Sequence, residues 1–191
     1  MARSVQSRFT RSFATIPLPR LDFPASPNDT APIASQRAAT RVRLPDGTTS
    51  RVSLKLASVL ASVDQVEETA LEYAASAGFD ADTASNLAMV TREAAVNAII
   101  HGNRYNPALQ VTATFEISSE ALTIRIADAG PGLDPAGIPD PLAPENLLRS
   151  SGRGVFLMRA FMDEVHFRQS QPGAKNPGTE VILVKHRKRP A

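Results

Sequence analysis

Three short stretches of the sequence hold residue types that can do chemistry at spacings a fold could exploit. The first is Glu93-Ala-Ala-Val-Asn97-Ala-Ile-Ile-His101. A carboxylate, an amide and an imidazole recur there at i, i+4 and i+8, so on a helix they stack along one side within about 80° of arc. The same helix would carry Leu87, Val90, Ala94 and Ala98 as one apolar stripe, with Met89, Val96, Ile99 and Ile100 around the rest. A helix apolar nearly all round is expected to be buried. Leaving a carboxylate and an amide unpartnered there costs on the order of a few kcal/mol. A bound ligand answers that need; so does a polar network within the core.

The second stretch is Asp128-Ala-Gly130-Pro-Gly132, directly after the alternating run Leu122 to Ala127. It presents a carboxylate at a strand end, where it can accept from an exocyclic amino group such as N6 of adenine. Gly- and Pro-rich turns also follow strands for no reason but the turn. The third is Ser151-Gly152-Arg153-Gly154, ahead of a short helix expected over Val155 to Met162. A glycine turn opening a helix offers unpaired N–H groups and the positive end of the dipole to a phosphate. By itself it is also a plain helix entry.

The elements that must position these stretches follow from periodicity. Val52, Leu54 and Leu56 alternate in a strand over Arg51 to Ala57. Val63, Val66, Ala70, Tyr73 and Ala77 fall at helical spacing, and Gly78 supplies a stop. Asp80 or Asp82 caps a second helix running to about Ile100 and ending at Gly102-Asn103. Two alternating runs, Leu109 to Ile117 and Leu122 to Ile126, flank Ser118-Ser119-Glu120 and predict an antiparallel hairpin. Strands over about 164–169 and 179–185 close the chain. This order predicts an α+β fold, a two-layer sandwich in which a mixed, mainly antiparallel sheet carries helices on one face.

Taken together, Glu93-x-x-x-Asn97, Asp128-x-Gly130-x-Gly132, Gly152-x-Gly154 and Gly178-Thr179 resemble the N, G1, G2 and threonine motifs of the GHKL ATPase superfamily, the Bergerat or histidine-kinase-like ATPase fold. Within it the chain looks like the bacterial anti-sigma-factor serine/threonine kinases, through Arg92 to Asn103 and Leu148 to Val165. The resemblance implies ATP as phosphate donor and Mg²⁺ bridging its phosphates, held by Asn97. It implies Glu93 as the general base, and Asp128 as the adenine-binding carboxylate supported by Thr179. Gly130 and Gly132 would shape the floor under adenine and ribose. Gly152, Arg153 and Gly154 would bring the helix start to the phosphates, and Arg149 would face the γ-phosphate. Leu133 to Ser151 would form a short lid over ATP, with prolines at 135, 139, 141 and 144. His101 and Asn103 match the family in type, without a role.

The resemblance also implies partners: a sigma factor, an anti-sigma antagonist of STAS type phosphorylated at serine, and a second copy in a homodimer. A sensor histidine kinase needs a phosphoacceptor histidine upstream, and no histidine precedes His101. No transducer domain follows within 191 residues, so the expectation is a free-standing module at 51–186. The alternative is a nucleotide-responsive binding module without significant kinase activity.

Composition sets the remaining bounds. With 42% hydrophobic and 21% charged residues the chain is an ordinary globular one, and without cysteine it has no disulfide and no thiolate metal site. No apolar run is long enough to span a membrane, and the expected location is the cytoplasm. The net charge of +2 conceals an asymmetry, because residues 1–50 hold seven Arg against three Asp. That stretch, with prolines at 17, 19, 24, 27, 32 and 45 and no lasting periodicity, reads as a flexible basic arm. Its first twenty residues, acid-free with four arginines, have the composition of a transit peptide as well as of a plain extension. Residues 187–191 read as a basic tail. Charge confined to the ends is no nucleic-acid face, and no direct contact with nucleic acid is expected.

Overall fold

The computed structural model describes residues 42–43, 50–132 and 153–187, all within the unit Ile33–Ala191. Arg149 and Gly152, the proposed lid and most of the N-terminal arm lie outside the described residues, as does the backbone of 188–191.

Six strands form one sheet. β1 (Val42–Arg43) is a two-residue edge, followed by β2 (Ser50–Ala57), β3 (Gln110–Ile117), β4 (Ala121–Ala127), β5 (Glu164–Gln169) and β6 (Thr179–His186), in the order β1-β2-β3-β4-β6-β5. Between β2 and β3 lie α1 (Ser62–Ser76) and α2 (Ala81–Asn97); α3 (Arg153–Phe161) precedes β5. The alternation read from the sequence sets the register. Val52, Phe115, Ile124, Leu183 and Val165 pair across five strands in one row. Four of them are buried, and Val165 packs partly buried against the core. One residue of slip would turn each strand's apolar set to the other face.

Every pairing is antiparallel, whereas a mixed sheet was expected. The reason is topological. A single helix between neighbouring strands leaves them parallel, but α1 and α2 form a pair that returns the chain in the opposite sense. The connection through α3 brings β5 back parallel to β4, yet β6 inserts between the two.

Asp80 is the N-cap of α2, its carboxylate accepting from Thr83 N at 2.7 Å, and Gly78 (φ 84°) follows α1 as expected. Small residues, Ala70 and Ala74 on α1 and Ala84, Ala88, Ala94 and Ala95 on α2, are buried, which lets the two helices pack closely. Arg92 on α2 reaches back to Asp64 (2.9 Å) and Glu67 (2.6 Å) of α1. The helix expected to continue to Ile100 instead stops being α-helical at Asn97. Ala98–Gly102 form a turn of π-helix, closed by Asn103 N donating to Ala98 O at 2.8 Å. Two consecutive residues after it, Arg104 (φ 53°) and Tyr105 (φ 57°), take the left-handed conformation that side chains disfavour.

Arg187, read as the start of a solvated tail, is instead fastened to the body. Its Nε donates to Ala77 O at the end of α1, and a terminal nitrogen donates to Ser118 O in the β3–β4 turn, both at 2.8 Å. A cation at a helix C-terminus is favoured by the dipole as well as by the unpaired carbonyls. Arg187→Ala should therefore lower the unfolding free energy by roughly 1.5 to 3 kcal/mol. Urea denaturation of the full chain checks this; an unchanged midpoint would show the two bonds to be idle.

Candidate functional site

Asn97 and His101 of the first stretch, Asp128 and Gly132 of the second, and Val155, which follows the third, line one cavity of about 310 Å³ beside α2, in the range of small-ligand pockets. Its walls are mostly apolar, from Ile126, Met158, Phe167 and Val181, and its polar groups include Asn97, Asp128 and Thr179. Ile126 and Val181 are core-facing strand residues, so the cavity is a continuation of the hydrophobic layer between sheet and helices.

Asp128 leaves β4 at the buried end of this cavity, 7% exposed. Its Oδ1 accepts from Gly130 N at 2.9 Å and from Thr179 N at 3.1 Å; Oδ2 takes neither bond. Burial pushes the carboxyl above the usual aspartate range, opposed by the backbone N–H groups of Gly130 and Thr179 and by the Thr179 hydroxyl. The folded state thus holds a carboxylate whose charge is costly and whose Oδ2 takes neither of the two backbone bonds. An amino group on a flat ring lying between the apolar walls would supply a hydrogen-bond donor.

Around Asp128 the backbone leaves no room for side chains. A Cβ on Gly102 would overlap the Asp128 carboxyl, and one on Gly130 would overlap the Gly102 carbonyl oxygen. Gly178 N donates to Gly130 O at 3.0 Å, and Asp128 N to Thr179 O at 2.9 Å, which ties the loop after β4 to the start of β6. Gly130 and Thr179 therefore stand together with Asp128, and Gly132 lines the same cavity.

The other end is set by α2 and the start of α3. A Cβ on Gly154 would lie 2.6 Å from Glu93 Oε1 and 3.0 Å from Asn97 Nδ2, so glycine is what allows the α3 N-terminus to close on these two side chains. Asn97 lines the cavity; Glu93 stands behind it, against Gly154, and is not part of its wall. Both are half-buried and not sealed in the core, and Met89 on the same helix is 38% exposed. The reading of α2 as apolar all round overstated its burial, because only the faces toward α1 and the sheet are covered. Among the described residues no hydrogen bond or ion pair engages the Glu93 carboxylate or the Asn97 amide, so a core network does not account for them. The backbone of Arg153 opens α3 at the same end. His101 lies on the exposed rim of the cavity, beside Arg104.

Two residues of the site were given no role in it by sequence reasoning. Gly102 was taken as a helix stop, yet its lack of a side chain is what admits the Asp128 carboxyl. Asn103 is 2% exposed, and its amide joins two backbone segments. Helix termination and a buried side-chain reach give the same sequence signal, so periodicity could not separate them.

Comparison with known proteins places the chain in a family. A family model for the histidine kinase-like ATPase domain matches residues 56–185. An anti-sigma F factor of Anoxybacillus flavithermus is 35% identical over 109 residues, covering 55% of this chain and 70% of that protein. A serine-protein kinase RsbW of Oceanobacillus iheyensis is 32% identical over 94 residues, covering 46% of this chain and 60% of that protein. A solved structure of the mycobacterial sensor histidine kinase MprB aligns over 71% of this chain and 97% of its own, with 20% identity and a TM-score of 0.47. On the family model, which spans most of the chain, and on the anti-sigma F factor relative, the chain belongs to the histidine kinase-like ATPase domain family, with the anti-sigma F factors among its relatives.

Proposed function

We propose that this protein is an ATP-dependent serine/threonine protein kinase acting as an anti-sigma factor in partner-switching control of transcription. The observation that carries the reading is one cavity lined by Asp128 and Thr179 at an adenine-type end and by Asn97 at a phosphate-type end, with Gly154 packed on Asn97 and on Glu93 behind it. The names of the relatives, anti-sigma F factor and serine-protein kinase, supply the class of reaction.

In this reading the Asp128 carboxylate accepts from the adenine amino group, with Thr179 supporting it and Gly130 and Gly132 beneath the base and ribose. The start of α3, at Arg153 and Gly154, together with Gly152 ahead of it in the sequence, offers N–H groups to the phosphates. Mg²⁺ is usually held by one or two protein ligands together with substrate phosphates, and Asn97 is the ligand this chain would offer. When bound, the ion neutralises charge on the phosphate oxygens. Glu93 orients the serine hydroxyl of the antagonist and takes its proton as the oxygen attacks the γ-phosphorus, the bond to the bridging oxygen breaks and ADP leaves. Arg149 supplies a cation for the charge on the transferring group.

The protein substrate is a STAS-type antagonist, the sequestered partner a sigma factor, and the working form a cytoplasmic homodimer. No described helix is long and apolar enough to cross a membrane. The kinase domain, expected at 51–186, takes in the edge strand β1 (Val42–Arg43) and Ser50 as well, so the N-terminal arm we propose is what precedes β1; the basic tail of 187–191 begins with the anchored Arg187.

Incubation with radiolabelled ATP, Mg²⁺ and candidate antagonists tests the function: label should appear on antagonist serine. Absence of label with every antagonist, alongside intact ATP binding, would leave a binding module. The adenine assignment has its own test. Asp128→Ala should weaken ATP binding at least about tenfold and erode the preference for ATP over GTP, because an amino group buried without its acceptor is costly. Unchanged calorimetric affinity in a folded variant would dispose of it.

A further inference from the structure

The segment between the π-turn and β3 carries an arrangement that the nucleotide-binding motifs do not explain. Asn103 is buried, at 2% exposure. Its Oδ1 accepts from Ala129 N at 2.9 Å, and its Nδ2 donates to Gln110 O at 3.2 Å. Ala129 is the residue next to Asp128. The amide therefore bridges the first residue of β3 and the loop that presents the Asp128 carboxylate.

The backbone around Asn103 is shaped to hold it there. The π-turn closes on its own N–H, donated to Ala98 O at 2.8 Å, and this wider turn carries Gly102 onto the Asp128 carboxyl. Immediately afterwards Arg104 and Tyr105 both take positive φ, 53° and 57°, an arrangement that persists only when the surroundings over-determine it. Tyr105 N donates to Ile99 O at 2.9 Å and Asn106 N to Asn103 O at 3.0 Å. Asn103 thus stands between the π-turn that its own N–H closes and a second turn closed on its carbonyl by Asn106 N.

We infer that Asn103 is a positioning residue for base recognition: by fixing Ala129 N it sets where the Asp128 carboxylate stands, and so sets discrimination between adenine and guanine nucleotides. The inference rests on the adenine role proposed above for Asp128. Asn103 touches no nucleotide in it and acts only through Asp128. Without the amide, Ala129 N–H loses its acceptor and the loop can shift on the floor made by Gly102 and Gly130. The carboxylate oxygens then no longer sit where the fold aims them.

The test is a double-mutant cycle read by calorimetric ATP and GTP affinities, with folding checked by circular dichroism. Asn103→Ala should weaken ATP binding about tenfold and lower the ATP-to-GTP affinity ratio by a similar factor. In the Asp128→Ala background the same change should alter ATP affinity by less than about twofold. A purely structural role would lower the melting temperature and leave the ratio untouched; that result, or additive effects in the double variant, overturns the inference. If Asp128→Ala alone leaves ATP affinity unchanged, it is the adenine assignment that fails, and the two failures are distinct. Asn103→Ser, whose hydroxyl can still serve one neighbour, is read by the same ratio where Asn103→Ala does not fold. A measurement on the unmodified protein stands beside the variants. Native-state hydrogen exchange should find the Ala129 amide protected, and exchange at the rate of an unbonded amide would likewise overturn the proposal.

Discussion

Replacing Glu93 by Gln is expected to slow phosphoryl transfer by about 10² to 10⁴-fold while ATP affinity stays within about threefold. Gln keeps the size of the side chain and its fit against Gly154, and removes only the carboxylate's capacity to take a proton. The position of Glu93 makes the split between rate and affinity sharp. It stands behind the cavity wall at the α3 end, away from Asp128, so the base and ribose do not depend on it. A half-buried carboxylate with no partner among the described residues also gives the fold little reason to keep it. The melting temperature of Glu93→Gln should therefore hold or rise slightly. The measurement pairs phosphotransfer rate with ATP affinity for both proteins. A variant that transfers as fast as the parent removes Glu93 from the chemistry.

Asn97→Ala should abolish transfer and make ATP binding nearly insensitive to added Mg²⁺. An ion that takes only one or two ligands from the protein has little in reserve when one is lost. The Asn97 amide borders the cavity next to the start of α3, with Nδ2 at 3.0 Å from the Cβ position of Gly154. It is thus placed between Asp128 and the start of α3, the ends proposed above for the base and the phosphates. Calorimetry with and without Mg²⁺ reads the effect directly. Where the parent gains affinity on adding the ion, the variant should not. Full Mg²⁺-dependent activity in Asn97→Ala would place the ion on another group. Comparison with Glu93→Gln is informative, because both should impair transfer but only Asn97→Ala should uncouple binding from the metal.

The sheet was legible because alternation has a period of two and leaves little choice of face. Val52, Leu54, Phe115, Ile124 and Leu183 announce the buried side of their strands, and the observed register follows from them. The polar residues of α2 were legible for the same kind of reason: i and i+4 must share a side of any helix, so Glu93 and Asn97 had to stand together. Asp128 at a strand end and Gly154 at a helix start were visible as positions. Their convergence was not, because no local pattern says which strand end meets which helix end; the resemblance to a known family supplied that.

Tertiary packing alone decided the rest. Whether α2 is sealed in or opens on a cavity depends on what lies over Glu93, Asn97 and Met89, and propensity carries no such information. The insertion of β6 between β4 and β5 makes the sheet wholly antiparallel through long-range pairing. The same holds where a sequence symbol has two physical meanings. Gly102-Asn103 reads as a helix stop, and Arg187 reads as the first residue of a charged tail. In the folded chain the absent Gly102 side chain admits the Asp128 carboxyl, the Asn103 amide holds Ala129 N, and the Arg187 guanidinium binds Ala77 O and Ser118 O. Each of those partners is 26 or more residues away in the chain, and only folding brings a donor and an acceptor that far apart within 3 Å.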